Sequence, residues 1–190
     1  HCKHKIFNAE IEYREAGPSG LAGGPEGPAS EPATIRSLFK TYIRSTTEEL
    51  APRRPDLKSV FTDNAGVFEF DEGHAVCVKA ETHNSPSALD PYGGAITGIV
   101  GVNRDILGTG MGAQPLFNTD VLCFAPPSTP DAEVPAGLMR PRELLEGVHR
   151  GIVDGGNQSG IPVAAGAFVF DPSFMGKPLV FCGTGGIMPA

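Results

Sequence analysis

Apolar residues recur along this chain with two different periods, and the switch between them marks its elements. From Thr34, the spacing of Ile35, Leu38, Phe39, Tyr42 and Ile43 is helical, with Thr34 placed as a cap and Pro52 as a stop after Leu50. From Val67 the period falls to two: residues 67–70 and 75–81 read as strands of a hairpin around the turn Asp71-Glu72-Gly73. On the second strand Val76, Val78 and Ala80 share one face and Cys77, Lys79 and Glu81 the other, so the apolar set is expected in the core and the polar set at the chemistry.

Residues 91–94 read as a turn, after which Ala95, Ile99, Val102 and Ile106 return to helical spacing. Gly98 and Gly101 would each cost that helix about 1 kcal/mol relative to alanine, which predicts a neighbour approaching its backbone closely. A strand is expected at 121–125. Pro141 opens a helix with Leu144, Leu145, Val148 and Ile152 on one side, expected to end at Gly155-Gly156. Strands at 163–170 and 178–187 follow, and no internal repeat is visible. Intermixed helices and strands place the chain in the α/β (α+β) class.

Composition narrows this picture. The 190 residues suffice for one substantial domain, expected to span 1–190. Residues 15–32 hold almost nothing that could be buried and read as a mobile loop. A net charge of -7 argues against a nucleic-acid backbone or an anionic membrane as the main partner. Cys2, Cys77, Cys123 and Cys182 form no C-x-x-C pair, which suits reduced thiols in a cytoplasm, and no apolar run approaches the roughly 18 residues that span a bilayer. The chain opens on His1 without methionine and stops at Ala190 in a segment that reads as structured, so a piece of a longer protein is expected.

Candidate chemistry centres on Lys79-Ala80-Glu81-Thr82-His83-Asn84. If the strand stays extended through His83, then Lys79, Glu81 and His83 share a face at steps of roughly 6–7 Å. Lysine can pair with phosphate, glutamate can hold Mg²⁺ through oxygen, and histidine can move a proton near neutral pH. A solvated polar strand face would show the same pattern. Asn84 and Ser85 offer donors at an expected turn before Pro86. Arg104-Asp105 can clamp a phosphate and hold a second Mg²⁺, or be solvated neighbours. His1 and His4 belong to a short basic cluster that also fits a frayed terminus. The glycines of residues 93–112 spell neither a Walker phosphate loop nor a dinucleotide fingerprint.

Taken together, HCKHKIFNAEI, SLFKTYIRSTTEEL, DNAGVFEF, VKAETHNSPSALDPYGGAITGIVGVNRDILGTGMGAQP and GIPVAAGAFVFDPSFMGKPLV resemble the phosphoribosylformylglycinamidine synthase family over nearly the whole chain. That family is similar to a wider group containing aminoimidazole ribonucleotide synthase, selenophosphate synthetase, thiamine monophosphate kinase and a hydrogenase maturation protein, whose ATP site lacks a standard phosphate loop. The resemblance implies an aminoimidazole ribonucleotide synthase N-terminal-like domain: a mixed sheet with helices on one face, which pairs into a barrel in a homodimer or pseudo-dimer.

It further implies a catalytic histidine at His1 and a proton acceptor at His83, ATP contacts at His4 and Lys79, and Mg²⁺ ligands at Glu81 and Asp105. Substrate contacts fall on Thr82, Asn84, Ser85 and Arg104. The reaction implied joins ammonia, supplied by a glutaminase subunit or domain, to formylglycinamide ribonucleotide with ATP. The alternatives are another member of the ATP-binding group, such as aminoimidazole ribonucleotide synthase, or a non-catalytic assembly domain. Two positions depart from the pattern: relatives read H-N-H-P where this chain has His83-Asn84-Ser85-Pro86, and G-G-E or G-G-N where it has Ala165-Gly166-Ala167.

Overall fold

The structure, a computed structural model, describes residues 7–13 and 33–190 and divides at Pro55 into two units. His1, Cys2, His4 and the expected loop at 15–32 lie outside the described residues.

In the first unit β1 (Glu10–Tyr13) pairs antiparallel with β2 (Ala33–Arg36), Ile11 opposite Ile35. Thr34 therefore lies in a strand and caps no helix. Thr34 and Ile35 are β-branched, and with a partner strand available their preference for a pleated surface outweighs the helical spacing they share with Leu38 and Phe39. Ser37 turns the chain, its hydroxyl donating to Phe7 O at 3.0 Å and accepting from Lys40 N at 3.3 Å. The helical stretch then winds as a π-helix at Phe39–Arg44 and as α1 at Ser45–Leu50, stopping short of Pro52 as expected.

The second unit is a six-stranded sheet in the order β3-β4-β5-β8-β6-β7. Its strands are β3 (Leu57–Ser59), β4 (Gly66–Asp71), β5 (His74–Thr82), β6 (Gln114–Phe124), β7 (Val163–Phe170) and β8 (Leu179–Pro189). The β4–β5 hairpin is the expected one. All pairings are antiparallel except β6–β7, whose parallel register requires a long crossover, supplied by the segment carrying α4 (Pro141–Ser159). The class is thus mixed α/β.

Three expected boundaries move for identifiable reasons. Residues 91–94 are no turn but the first turn of α3 (Pro91–Leu107): Pro91 occupies the first helical position, and the Asp90 carboxylate accepts from Gly93 N at 3.1 Å. The short α2 (Asn84–Leu89) precedes it, so Asn84 and Ser85 open a helix where a turn was expected. Helix α4 runs through Gly155-Gly156 and stops at Gly160, which takes the left-handed φ of 69° that suits glycine at a helix end. The interior glycines serve packing instead. A Cβ on Gly151 would stand 2.6 Å from Tyr92 O, and one on Gly155 3.1 Å from Ile99, so α4 presses onto α3 through them.

The core lies between the helices and one sheet face, in two apolar clusters. Ile99, Val102, Phe124, Val148 and Val180 anchor the larger, and Val67, Ala75, Cys77 and Ile106 the smaller. On β5 the buried residues are Ala75 and Cys77, while Val78 is 48% exposed and Ala80 is exposed as well. The expected assignment of the two faces is therefore reversed: the helices cover the side that carries Lys79 and Glu81. Cys77, Cys123 and Cys182 are free, buried thiols whose pKa burial raises. Among the described residues no helix is long and apolar enough to cross a membrane.

Candidate active site

Helix α3 runs against the end of β5 so that one of its stripes meets three strand residues in reverse order. Asp105 Oδ2 is 2.9 Å from Lys79 Nζ. One turn earlier, a Cβ on Gly101 would lie 3.5 Å from Glu81 Oε2, and one on Gly98 would lie 3.3 Å from His83 Cγ and 2.9 Å from Cys182 Sγ. The two glycines thus leave the space that Glu81 and His83 fill, which is the close approach their helix cost predicts.

Lys79 and Glu81 share a face as their two-residue spacing requires, whereas the strand ends at Thr82 and His83 joins them from beyond it. His83 has φ -101° and ψ 45° and caps α2, while its backbone N–H still donates to Val180 O at 2.8 Å. Its Nε2 lies 3.3 Å from Glu81 Oε2, and Lys79 Nζ lies 3.7 Å from Glu81 Oε1. One ammonium therefore bridges two carboxylates, with a histidine on the far side of one of them. These side chains are half-buried: Lys79 is 26% exposed and Asp105 16%. Such partial cover strengthens charge interactions while leaving the group open to a ligand. His83 Nδ1 is buried and has no hydrogen-bond partner among the described residues.

The other expected contacts divide. Asn84 Oδ1 accepts from Val180 N at 2.8 Å, tying α2 to β8. Thr82 and Ser85 are exposed next to the cluster in sequence. Arg104 is 75% exposed with Nε 3.9 Å from Asp105 Oδ1, free to swing towards an anion. No three His, Cys, Asp or Glu side chains among the described residues are grouped to hold a metal. Glu81 and Asp105 remain as an oxygen pair, the number Mg²⁺ takes from a protein when phosphates and waters complete its octahedron.

One group was missed in the sequence. Asp120 on β6 is 3% exposed, and neither carboxylate oxygen has a nitrogen or oxygen partner among the described residues. It faces Cys182, which pairs across the sheet with Glu81 on its other side. Burial pushes the Asp120 pKa up to about 6, partly offset by the Cys182 thiol. It lines a cavity of about 530 Å³ with Leu122, Ile152, Gly166, Ala167 and Phe168. The available signal was an acid directly ahead of the apolar run Val121-Leu122-Cys123-Phe124, where a strand buried on one face leaves it no solvent.

Residues 62–188 match the family described as AIR synthase related protein, N-terminal domain. The chain belongs to this family. Phosphoribosylformylglycinamidine synthase subunit PurL of Thermoplasma acidophilum is 47% identical over 126 residues, 66% of this chain and 16% of the relative. The subunit of the same name from Corynebacterium jeikeium is 39% identical over 145 residues, again with 16% of the relative covered. The chain therefore spans about a sixth of the length of these relatives.

Among solved structures, T. maritima PurL complexed with ADP aligns with a TM-score of 0.57 at 31% identity, over 77% of this chain and 22% of that one. The same protein complexed with FGAR aligns at 0.55 and 32%, over 77% of this chain and 21% of that one. AaThiL complexed with AMPPCP and TMP, 14% identical at a TM-score of 0.52 over 77% of this chain and 40% of that one, shares the fold. The AIR synthase-related match begins at residue 62 and so takes in the Lys79–Glu81–His83–Asp105 cluster but not the first unit.

Proposed function

We propose that residues 1–190 are the ATP-binding front part of a longer synthetase that converts formylglycinamide ribonucleotide, ammonia and ATP into formylglycinamidine ribonucleotide, ADP and phosphate. The observation that carries this is the Lys79–Glu81–His83–Asp105 cluster, inside a segment similar to phosphoribosylformylglycinamidine synthase subunits and to the solved structures of T. maritima PurL complexed with ATP and with FGAR. In this reading the amide oxygen of the substrate accepts the γ-phosphoryl group, ammonia attacks the activated carbon, and phosphate leaves with that oxygen.

Lys79 pairs with the triphosphate, exchanging Asp105 for phosphate oxygens, and Arg104 reaches the substrate phosphate from its exposed position. Glu81 and Asp105 fit as the holders of Mg²⁺, which neutralises polyphosphate charge when bound. His83 accepts the proton that the attacking ammonia sheds, and its contact with Glu81 holds the ring in place. Thr82, Asn84 and Ser85 line the substrate side, with Asn84 acting also through its bond to β8. The catalytic role implied for His1 and the ATP contact implied for His4 fall outside the described residues. Ammonia comes from a glutaminase partner, a reading supported by the similarity to the structure of PurLQS from Thermotoga maritima, and the location in this reading is cytoplasmic.

The sheet face opposite the helices is covered by a second such sheet, from another copy or a pseudo-symmetric domain. Its apolar side chains, including Val78, Val121, Phe181 and Ile187, support that reading. The test is His83→Ala in the full-length enzyme: amidine formation is expected to fall by about 10²–10⁴ with the fold unchanged. Near-normal turnover would remove His83 from the mechanism. Absence of Mg-ATP binding in the unaltered full-length protein would favour an assembly domain instead.

A further inference from the structure

Between the two apolar clusters, the seam of α3 with the sheet is interrupted by three buried polar side chains from three elements. Asn103 on α3 is 5% exposed, Asn118 on β6 is 0% and Thr184 on β8 is 1%. Asn118 Nδ2 donates to Asn103 Oδ1 at 2.7 Å and approaches Gly183 O at 3.2 Å, and the Thr184 hydroxyl donates to Asn103 Oδ1 at 2.8 Å. The carbonyl of Gly183 fixes which way the Asn118 amide points, and Asn118 in turn fixes Asn103.

Along the chain the polar residues separate the clusters: Val102 and Ile106 flank Asn103 on α3, Cys182 and Gly186 flank Thr184 on β8, and Leu122 on β6 and Ala113 just before it bracket Asn118. Apolar contacts are non-directional and tolerate a helix that rotates or slides, whereas these bonds accept one geometry. The arrangement also leaves Asn103 Nδ2 and Asn118 Oδ1 buried without partners among the described residues, an expense that a purely apolar seam would avoid.

We propose that Asn103, held by Asn118 and Thr184, is the positioning residue that sets the register of α3 on the sheet, so that Asp105, two residues on, meets Lys79 and the glycine stripe meets Glu81 and His83. This rests on the reading of Lys79, Glu81 and Asp105 as the phosphate and metal group. Asn103 itself touches neither phosphate nor metal; it acts through the helix.

The test uses the full-length enzyme and two variants, Asn103→Leu and the triple variant Asn103→Leu/Asn118→Leu/Thr184→Val. The triple variant removes the three polar side chains together, so that of the network only the Gly183 carbonyl loses a partner, and it is expected to keep a Tm close to the parent's. Competitive acetylation with acetic anhydride, read at Lys79 by mass spectrometry, is expected to be about five-fold faster in both variants as the Lys79–Asp105 pair loosens. The triple variant should also need about five-fold more Mg²⁺ to half-saturate ATP binding.

Lys79 acetylation at the parent rate in the triple variant overturns the proposal, as does an increase that only follows a fall in Tm. Faster acetylation with an unchanged Mg²⁺ requirement upholds the register role and instead defeats the assignment of Glu81 and Asp105 to the metal. The two failures are thereby told apart.

Discussion

The two faces of β5 differ in chemistry and in cover, and the two differences run opposite to expectation. Towards α3 the strand presents Ala75 and Cys77, then Lys79 and Glu81; away from it lie Val76, Val78 and Ala80, with Val78 half exposed. Polarity alone would have placed the valines inside. What decides is where the helices lie, and they lie over the charged face because α3 carries glycine at 98 and 101 and Asp105 beyond them. With the helices over its charged face and Val78 and Ala80 exposed on the other, the alternation of β5 tells the two faces apart but not which one is covered.

The largest expected effect breaks the comparison on the outer face. If a second sheet covers it in the complete enzyme, Val78→Lys buries an unpaired charge and costs about 3–5 kcal/mol, seen as dissociation in sedimentation or loss of folded enzyme in denaturation. Unchanged stability and assembly would leave that face to solvent. On the helix side, Lys79→Met removes the ammonium between two carboxylates and should weaken ATP binding about ten- to a hundredfold in the full-length enzyme, measured by calorimetry. Equal affinity would reduce the cluster to a structural ion pair.

The smallest effect concerns Asp120, an acid on the same covered side. Its folded-state pKa of about 6 lies above the ordinary carboxylate value, so the folded state binds the proton more tightly than the unfolded chain does. Its contribution therefore favours folding at low pH and is lost as pH rises from about 4 to about 6. Asp120→Asn should stabilise the protein by about 1–3 kcal/mol at pH 7 and by little at pH 4, by urea denaturation at both values. A gain of equal size at both would show that proton binding is not what the substitution removes.

The sequence made the site more legible than its setting. Lys79, Glu81 and His83 share a face because a strand's period of two is local, and Gly98 with Gly101 announced a close neighbour for the same local reason. Their neighbour was not legible, since which residues α3 meets depends on β8 and β6 arriving from far along the chain. Thr34 illustrates the limit from the other side: its helical spacing was real, but pairing with β1 across a long sequence separation overrode it. Gly155-Gly156 looked like a stop because glycine ends helices, and the alternative use, close contact with α3, needs the partner helix in view. Asn103, Asn118 and Thr184 gave no signal at all, each being an ordinary polar residue until the three elements meet.

The position of β8 bears on how the protein is made. It is the last strand of the second unit in sequence, yet it lies between β5 and β6. A chain emerging from the ribosome therefore cannot join β5 to β6 in one sheet until β8 is synthesised and inserted between them. Val180, which receives His83 N–H and donates to Asn84, belongs to that strand. Completion of the sheet and of the Val180 bonds to His83 and Asn84 thus waits on the same strand, and until it arrives the inner edges of β5 and β6 have no partner to pair with.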